Sequence, residues 1–383
     1  MILGRSARLL AALAMVWPAC LACSSGRAPE TPTGPGDSTT ATAVPRSTPS
    51  PDSTRTQGTR RTLTMSFAGD LNFDQQLARF LEPGNRTLAT WLRPQLGPAD
   101  LSMLNLETAI TGRGTPEPKT YHFRAPDTAL DVVASTGVDV ITMANNHAVD
   151  YGPVGFADTL AAKARSPIPI VGIGRDAAEA FAPAVLHRAG VSIAILGSTE
   201  IDDLTLNKFP ATDTAAGVAT NLDPARLIRA VRAAAGRYDL VVVYLHWGLD
   251  YTSCPDSIQP DMAARLSAAG ADVVVGSHAH RVQGGGWLGD TYVDYGLGNF
   301  AWARNDGPNG VTGVLTLTVD LERVRDRGLS PAGRIGPVVT RARWTPMLIG
   351  DDGIPRVPDA ERTAELRREW VAARACTDLS GRP

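Results

Sequence analysis

Asp272-Val273-Val274-Val275-Gly276-Ser277-His278-Ala279-His280 is an apolar, β-branched run that breaks abruptly into glycine, serine and two histidines. The valines read as a buried strand and the break as its carboxyl end. The same pattern occurs four more times. Leu63-Thr64-Met65-Ser66-Phe67 precedes Gly69-Asp70, and Leu101-Ser102-Met103-Leu104 precedes Asn105-Leu106-Glu107. Val138-Asp139-Val140-Ile141-Thr142 precedes Asn145-Asn146-His147, and Leu240-Val241-Val242-Val243-Tyr244-Leu245 precedes His246-Trp247-Gly248. In α/β sheets the loops at the carboxyl ends of strands converge on one crevice. Five polar clusters at five such ends predict one site assembled from distant residues.

The residue types point to metal chemistry. A divalent ion takes neutral imidazoles and deprotonated carboxylates at about 2 Å, and paired ions that share a water sit ~3.5–4 Å apart. His278 and His280 lie on one tight turn, close enough to serve different ions. Asp70 and Glu107 offset charge and bridge, while Asn146 and His246 complete the second ion's shell. Taken singly these residues have plainer readings. A lone His at a strand end is more often a hydrogen-bonded structural residue, and Asn145-Asn146 alone is a turn. Only their joint occurrence along one chain carries the prediction of two divalent ions, with Mn, Fe, Zn or Co admitted by mixed nitrogen and oxygen donors. His122 and His187 read as structural or surface residues, although Tyr121-His122-Phe123-Arg124 also suits a site mouth. Arg124 reads as a surface ion pair or as a contact for an anionic group. Asp74 reads as a helix-start carboxylate or as support for Asp70.

Between the clusters lie helix-like stretches at 73–80, 127–136, 155–164, 224–235 and 261–269, and further strand-like runs at 168–171, 191–196, 291–295 and 313–319. This alternation implies βαβ units and a layered α/β domain over 62–325. Beyond residue 338 the chain turns Pro- and Arg-rich, with one helix-like segment at 359–373. The stretch 326–383 is therefore expected to form a packed C-terminal appendage.

With 383 residues, 43% of them hydrophobic, and a formal charge of -2, the chain can bury a large core. Its charge gives no reason to expect nucleic acid or an anionic membrane surface as the main partner. Arg5 and Arg8 precede an apolar run at 9–17 too short to span a bilayer, so 1–23 reads as an export signal. It closes on Pro18-Ala19-Cys20-Leu21-Ala22-Cys23-Ser24, which looks like a lipoprotein cleavage site with Cys23 lipidated, Cys20 standing where Leu is usual; simple secretion is the alternative. Residues 24–61 are Pro, Thr, Ser and Gly with almost no apolar content and read as a disordered tether. The expected location is the extracellular face of the membrane, held by the lipid. Cys254 and Cys376 are expected either to pair in that oxidising setting or to remain two buried thiols.

Taken in order, Gly69-Asp70, Asn105-Leu106-Glu107, Ala144-Asn145-Asn146-His147 with Asp150-Tyr151-Gly152, His246-Trp247-Gly248, Gly276-Ser277-His278-Ala279-His280 and Gly296-Leu297-Gly298-Asn299-Phe300 resemble the CapA family of capsule and poly-γ-glutamate synthesis. That family is similar to the calcineurin-like metallophosphoesterases, so the resemblance implies a four-layer α/β/β/α sandwich with a two-metal site. It implies metal ligation by Asp70, Glu107, Asn146, His246, His278 and His280, and a general-acid or transition-state role for His147. Asn72 stands where the phosphoesterases carry a His ligand, and Glu107 where their bridging Asp is expected. The partner implied is a cell-surface anionic polymer or its precursor, with membrane synthase subunits as a second class. Three functions stay open: a metal-dependent hydrolase of that polymer, a non-catalytic polymer-binding or synthase-assembly factor, and an envelope phosphodiesterase or nucleotidase.

Overall fold

The computed structural model describes residues 60–329 and 336–383. The expected export signal, Cys23 and all but the last two residues of the expected tether lie outside the described residues.

Two sheets build the domain. The first has eight strands, in the order Pro355–Arg356, Val339–Ile349, Val311–Asp320, Thr62–Leu71, Leu101–Leu106, Val140–Thr142, Ile170–Val171, with Asn299–Ala301 also pairing with Thr62–Leu71. The second has six, in the order Gly285–Leu288, Thr291–Asp294, Val273–His278, Leu240–Trp247, Val191–Thr199, Ala184–Arg188. Leu240–Trp247 is buried along its whole length and lies between parallel neighbours, which is why its sequence is continuously apolar. Because side chains alternate across a strand, Val242 and Tyr244 face one way and Val241 and Val243 the other.

The alternation sorts the core into layers. Met65, Phe67, Met103 and Val140 of the first sheet meet Ile195, Val242, Tyr244, Val273 and Val275 of the second. On the outer face of the first sheet, Leu71, Leu104 and Ile141 pack with Leu88 and Leu92 of helix Thr87–Leu96 and Leu130 and Val133 of helix Thr128–Ser135. On the outer face of the second, Leu196, Val241, Val243 and Val274 pack with Leu227 and Val231 of helix Ala225–Ala235 and Met262 and Leu266 of helix Ile258–Ala269. The chain is thus a four-layer α/β/β/α sandwich. Each fully buried Leu or Val contributes roughly 1.5–3 kcal/mol by leaving water, so the layers rather than individual polar contacts hold the sheets face to face.

The register sets the site. Asp70 pairs with Asn105 and with Asn299, and on the other sheet His246 pairs with Ser277 and Trp247 with His278. The polar clusters therefore stand at the carboxyl ends of neighbouring parallel strands.

Within the C-terminal stretch, residues 336–383 pack on this frame and also complete it. Strand Val339–Ile349 pairs antiparallel with Val311–Asp320, and helix Ala360–Ala373 inserts Leu366 and Trp370 into the core between the sheets. Asp359 caps that helix by accepting from the Arg362 N–H at 2.8 Å. Cys254 and Cys376 are joined by a disulfide, Cα to Cα 5.8 Å. Among the described residues no helix is long and apolar enough to cross a membrane.

Candidate metal centre

His246, wholly buried at the end of Leu240–Trp247, is the hub. Its Nδ1 edge lies against Asn105 Nδ2 at 3.2 Å and Ser277 Oγ at 3.3 Å. Its Nε2 edge faces Asn146 Oδ1 at 3.0 Å, His278 Nδ1 at 3.1 Å and Glu107 Oε1 at 3.6 Å. Glu107, His246 and His278 offer donor atoms that all fall within 4.8 Å of one another. Both oxygens of Glu107 are buried, and neither has a hydrogen-bond partner.

That set fits a divalent cation. A metal–ligand bond of about 2.0–2.2 Å puts two ligands of one ion roughly 3.0–3.6 Å apart, the spacing found around His246 Nε2. An ionised, unpaired carboxylate in the interior costs several kcal/mol, too much to be left uncompensated. Burial alone pushes Glu107 well above the ordinary carboxylate range, and the nearby Asp70 adds to the rise. Burial also holds His246 and His278 well below the usual imidazole value, with neighbouring histidines adding to it, so both are neutral lone-pair donors at pH 7. Glu107, His246, His278 and the Asn146 carbonyl would hold the ion.

The remaining candidates surround this cluster. Asp70, also buried and raised by burial, has both oxygens engaged: Oδ1 accepts from Asn105 Nδ2 at 2.8 Å and Oδ2 from the His278 N–H at 3.1 Å. Asn72 is buried, and its Oδ1 accepts from the Asp74 N–H at 3.2 Å. His280 donates through its Nδ1–H to Asn299 Oδ1 at 2.6 Å and stands in the cavity wall. His278 and His280 have φ of 98° and 51°, left-handed values that a side-chain-bearing residue adopts only when its surroundings enforce them. Gly276 shares the enforcing region: a Cβ there would collide with the Trp247 indole and the Tyr295 carbonyl.

His147 stands beside the cluster, its Nε2 3.6 Å from Glu107 Oε1. Its Nδ1 is 2.7 Å from Asp150 Oδ2, which also accepts from the Phe123 N–H at 2.7 Å. Lys119 completes the support, 2.7 Å from Asp150 Oδ1 and donating to the Asn146 backbone carbonyl at 2.8 Å. Burial lowers the His147 pKa, while Asp150 pulls it back up. A cavity of about 160 Å³ opens over the centre, walled by His147, His280, Tyr121, Phe123, Tyr251 and Trp302, with Lys119 and Arg304 bringing positive charge.

Several supporting residues carry no signal of their own in the sequence. Asn105 and Asp150 lie inside the quoted clusters. Asn105 accepts from Asn145 Nδ2 at 2.9 Å, and the spacing of Asp150 three residues after His147 is a usable clue. Asp250, whose Oδ1 lies 3.2 Å from His278 Nε2, follows the His246 cluster closely. Lys119 sits in a loop with no distinguishing pattern. Of the plainer readings, His122 bonds the Glu117 carbonyl, Arg124 lies over the Tyr151 ring at 4.6 Å, and His187 is an exposed residue of strand Ala184–Arg188.

The fold and the buried carboxylate–imidazole cluster define a four-layer α/β/β/α protein with a candidate metal centre between its sheets. The chain belongs to the family described as bacterial capsule synthesis protein PGA_cap, which matches residues 64–303. It is 31% identical over 250 residues to the PGA biosynthesis protein CapA of Bacillus subtilis (strain 168), covering 63% of this chain and 65% of that one. It is 29% identical over 255 residues to the capsule biosynthesis protein CapA of Bacillus anthracis, covering 63% and 61%. More than a third of each relative's own length thus lies outside the match. A probable polyglutamine synthesis accessory protein of Mycobacterium tuberculosis (strain ATCC 25618 / H37Rv) is 30% identical over 191 residues, covering 47% and 50%. Among solved structures, the 5'-nucleotidase from Candida albicans SC5314 aligns with a TM-score of 0.42 at 11% identity, covering 82% of this chain and 57% of that one. The sulfate thiohydrolase SoxB of Thermus thermophilus aligns with a TM-score of 0.38 at 14% identity, covering 71% and 42%.

Proposed function

We propose that this chain is an exported, lipid-anchored, metal-dependent hydrolase acting on an anionic cell-surface polymer, in the synthesis, anchoring or release of poly-γ-glutamate or capsule. The observation that carries the proposal is Glu107: a buried carboxylate with two partnerless oxygens, facing two neutral imidazoles at the floor of a cavity that His147 overlooks. Family membership and the names of the relatives support the polymer context.

A bound divalent ion supplies Lewis-acid polarisation of the scissile carbonyl or phosphoryl group. The protein's own groups do the rest. Asp150, clamped by Lys119 and the Phe123 N–H, fixes the His147 ring through Nδ1 and leaves Nε2 to hold or deliver a proton toward the leaving group. Asn105 and Ser277 orient His246, and Asp250 orients His278, as carboxylates and amides behind metal-ligating histidines do. Phe123 and Trp302, 5.5 Å apart edge to face, wall the cavity against water.

A specific observation favours a second reading. The Asp70 oxygens and the Asn72 carbonyl are already satisfied by protein donors, which suits a reduced, single-ion centre in a polymer-holding or synthase-assembly factor. Purified chain reconstituted with Mn, Fe or Zn decides between the two, measured beside His278→Ala and His280→Ala variants. About two ions per chain, reduced in the variants, with turnover of γ-glutamyl oligomers or phosphodiesters, supports the hydrolase. One ion and tight polymer binding without turnover moves the assignment to the second reading, and no metal after reconstitution sinks both.

A further inference from the structure

Two cavities play no part in the metal chemistry. One, of about 160 Å³, lies between Ser253, Arg281, Pro308, Trp344 and Trp370. The other, of about 300 Å³, is an open groove between Arg341, Arg343, Arg367, Trp344, Trp370 and Val371. They share Trp344 and Trp370, whose rings stack with centroids 5.9 Å apart and planes 26° apart. Arg281 links the wall of the first cavity to that of the metal centre. Arg281 follows His280, donates to the Asn309 side chain and lies 5.3 Å from the Tyr251 ring centroid, and both Asn309 and Tyr251 line the cavity over the ligands. The arginine groove thus adjoins the Arg281 cavity through the tryptophan pair, and Arg281 stands between that cavity and the wall of the metal centre.

The groove is charged in a particular way. On helix Ala360–Ala373, Arg362 is neutralised by Glu365 at 2.6 Å and Glu369 at 3.3 Å. Arg341, Arg343 and Arg367 are exposed and form no ion pair among the described residues. Three uncompensated guanidinium groups are thus gathered on a chain whose formal net charge is -2. Arg341 and Arg343 are two residues apart on one strand, so their side chains leave the same face roughly 6.5–7 Å apart. Each guanidinium presents a fork that matches a carboxylate. Trp344, 2% exposed, contributes an indole N–H that has no acceptor among the described residues. A small single anion would use one such fork. Three forks along one groove match a polymer with one carboxylate per unit.

We propose that the Arg341–Arg343–Arg367 groove, continued through the Arg281 cavity, is a second binding surface that holds the stretch of a carboxylate-bearing polymer extending beyond the unit at the metal centre. This rests on the reading of an anionic polymer as the ligand. The surface lies between strand Val339–Ile349 and helix Ala360–Ala373, which gives the C-terminal stretch a binding task in addition to its place in the sheet.

The experiment uses the full chain, with poly-γ-glutamate of about 30 units, its trimer, and a single-stranded oligonucleotide of similar charge as probes. Affinity is measured at low ionic strength and at 0.15 M salt for the parent, the triple variant Arg341→Ser/Arg343→Ser/Arg367→Ser, and Arg367→Gln alone. Three exposed ion pairs predict that the triple variant loses roughly tenfold or more in affinity for the long polymer, with most of the difference screened at 0.15 M. Trimer binding stays as in the parent. The single variant shows a smaller loss at an unchanged melting temperature, which separates a lost contact from a lost fold. Equal affinity of parent and triple variant for the long polymer overturns the proposal, as does a parent that binds the oligonucleotide in preference to polyglutamate. Arginine-dependent binding without any turnover leaves this surface standing and removes the hydrolase reading. Turnover of the trimer with arginine-independent binding of the long polymer does the reverse.

Discussion

Replacing Asp294 with Asn should stabilise the protein, and by an amount that grows with pH. Asp294 ends strand Thr291–Asp294, is 0% exposed, and neither of its oxygens makes a well-formed hydrogen bond, although the Gly296 N–H and the Trp370 indole N–H lie close enough to act on it. The Tyr292 hydroxyl beside it is equally unpartnered. Burial pushes the Asp294 pKa up to about 8, against smaller downward pulls from Gly296, Trp370 and Arg374. A carboxyl raised in the folded state contributes fully below its unfolded value, near 3.8, and that contribution is lost as pH rises toward 8. Between those limits each unit of pH removes about 1.4 kcal/mol from the parent and nothing from the neutral amide. From pH 5.5 to 7 the advantage of Asp294→Asn over the parent should widen by about 2 kcal/mol. Urea unfolding of both proteins, disulfide intact, at four pH values across that range measures it. Parallel stability curves would show that Asp294 is ionised and compensated in the folded chain and would refute the reasoning.

The metal centre yields two further expectations. Burial raises both Glu107 and Asp70, so the metal-free protein loses stability as pH climbs from their unfolded values, and an ion that takes the place of the protons reverses the loss. The difference in melting temperature between metal-loaded and metal-stripped protein should therefore increase from pH 5.5 to 7.5; a difference that is flat or shrinks contradicts the assigned donor set. His147→Ala should leave metal content unchanged and lower kcat by about 10²–10⁴ on any substrate that is turned over, the usual range for a lost general acid or base. Loss of the metal in that variant, measured by elemental analysis, would make His147 a ligand instead.

The layered fold was legible because a strand covered on both faces leaves an uninterrupted apolar run, and five such runs ended in polar clusters. Leu240–Trp247 and Val273–His278 are of this kind. Several elements were not legible, two of them for clear physical reasons. Helix Thr87–Leu96 carries Pro94 near its end and has only Leu88, Leu92 and Leu96 buried, so its apolar stripe is narrow. Strand Val339–Ile349 lies beside Val311–Asp320 near the edge of its sheet, with exposed arginines alternating with Ala342 and Trp344; its charged residues mimic a surface tail until the partner strand is known.

At the site, the side chains that cluster were legible and their supports were not, and the difference follows from how each acts. Imidazole and carboxylate at strand ends are chemically uncommon, so Glu107, His246 and His278 stand out in any reading. Asn105, Asn145 and Lys119 are ordinary residue types whose importance lies in what they touch. Asn105 joins Asp70 to His246, Asn145 bonds Asn105 and the Leu106 carbonyl, and Lys119 links Asp150 to the Asn146 backbone. This network engages Asp70, His246 and Asn145, while both oxygens of Glu107 have no hydrogen-bond partner. A sequence that folds so many amides and histidines around one carboxylate without giving it a hydrogen bond is poised for a positive charge from outside the chain, and its stability at neutral pH depends on receiving one.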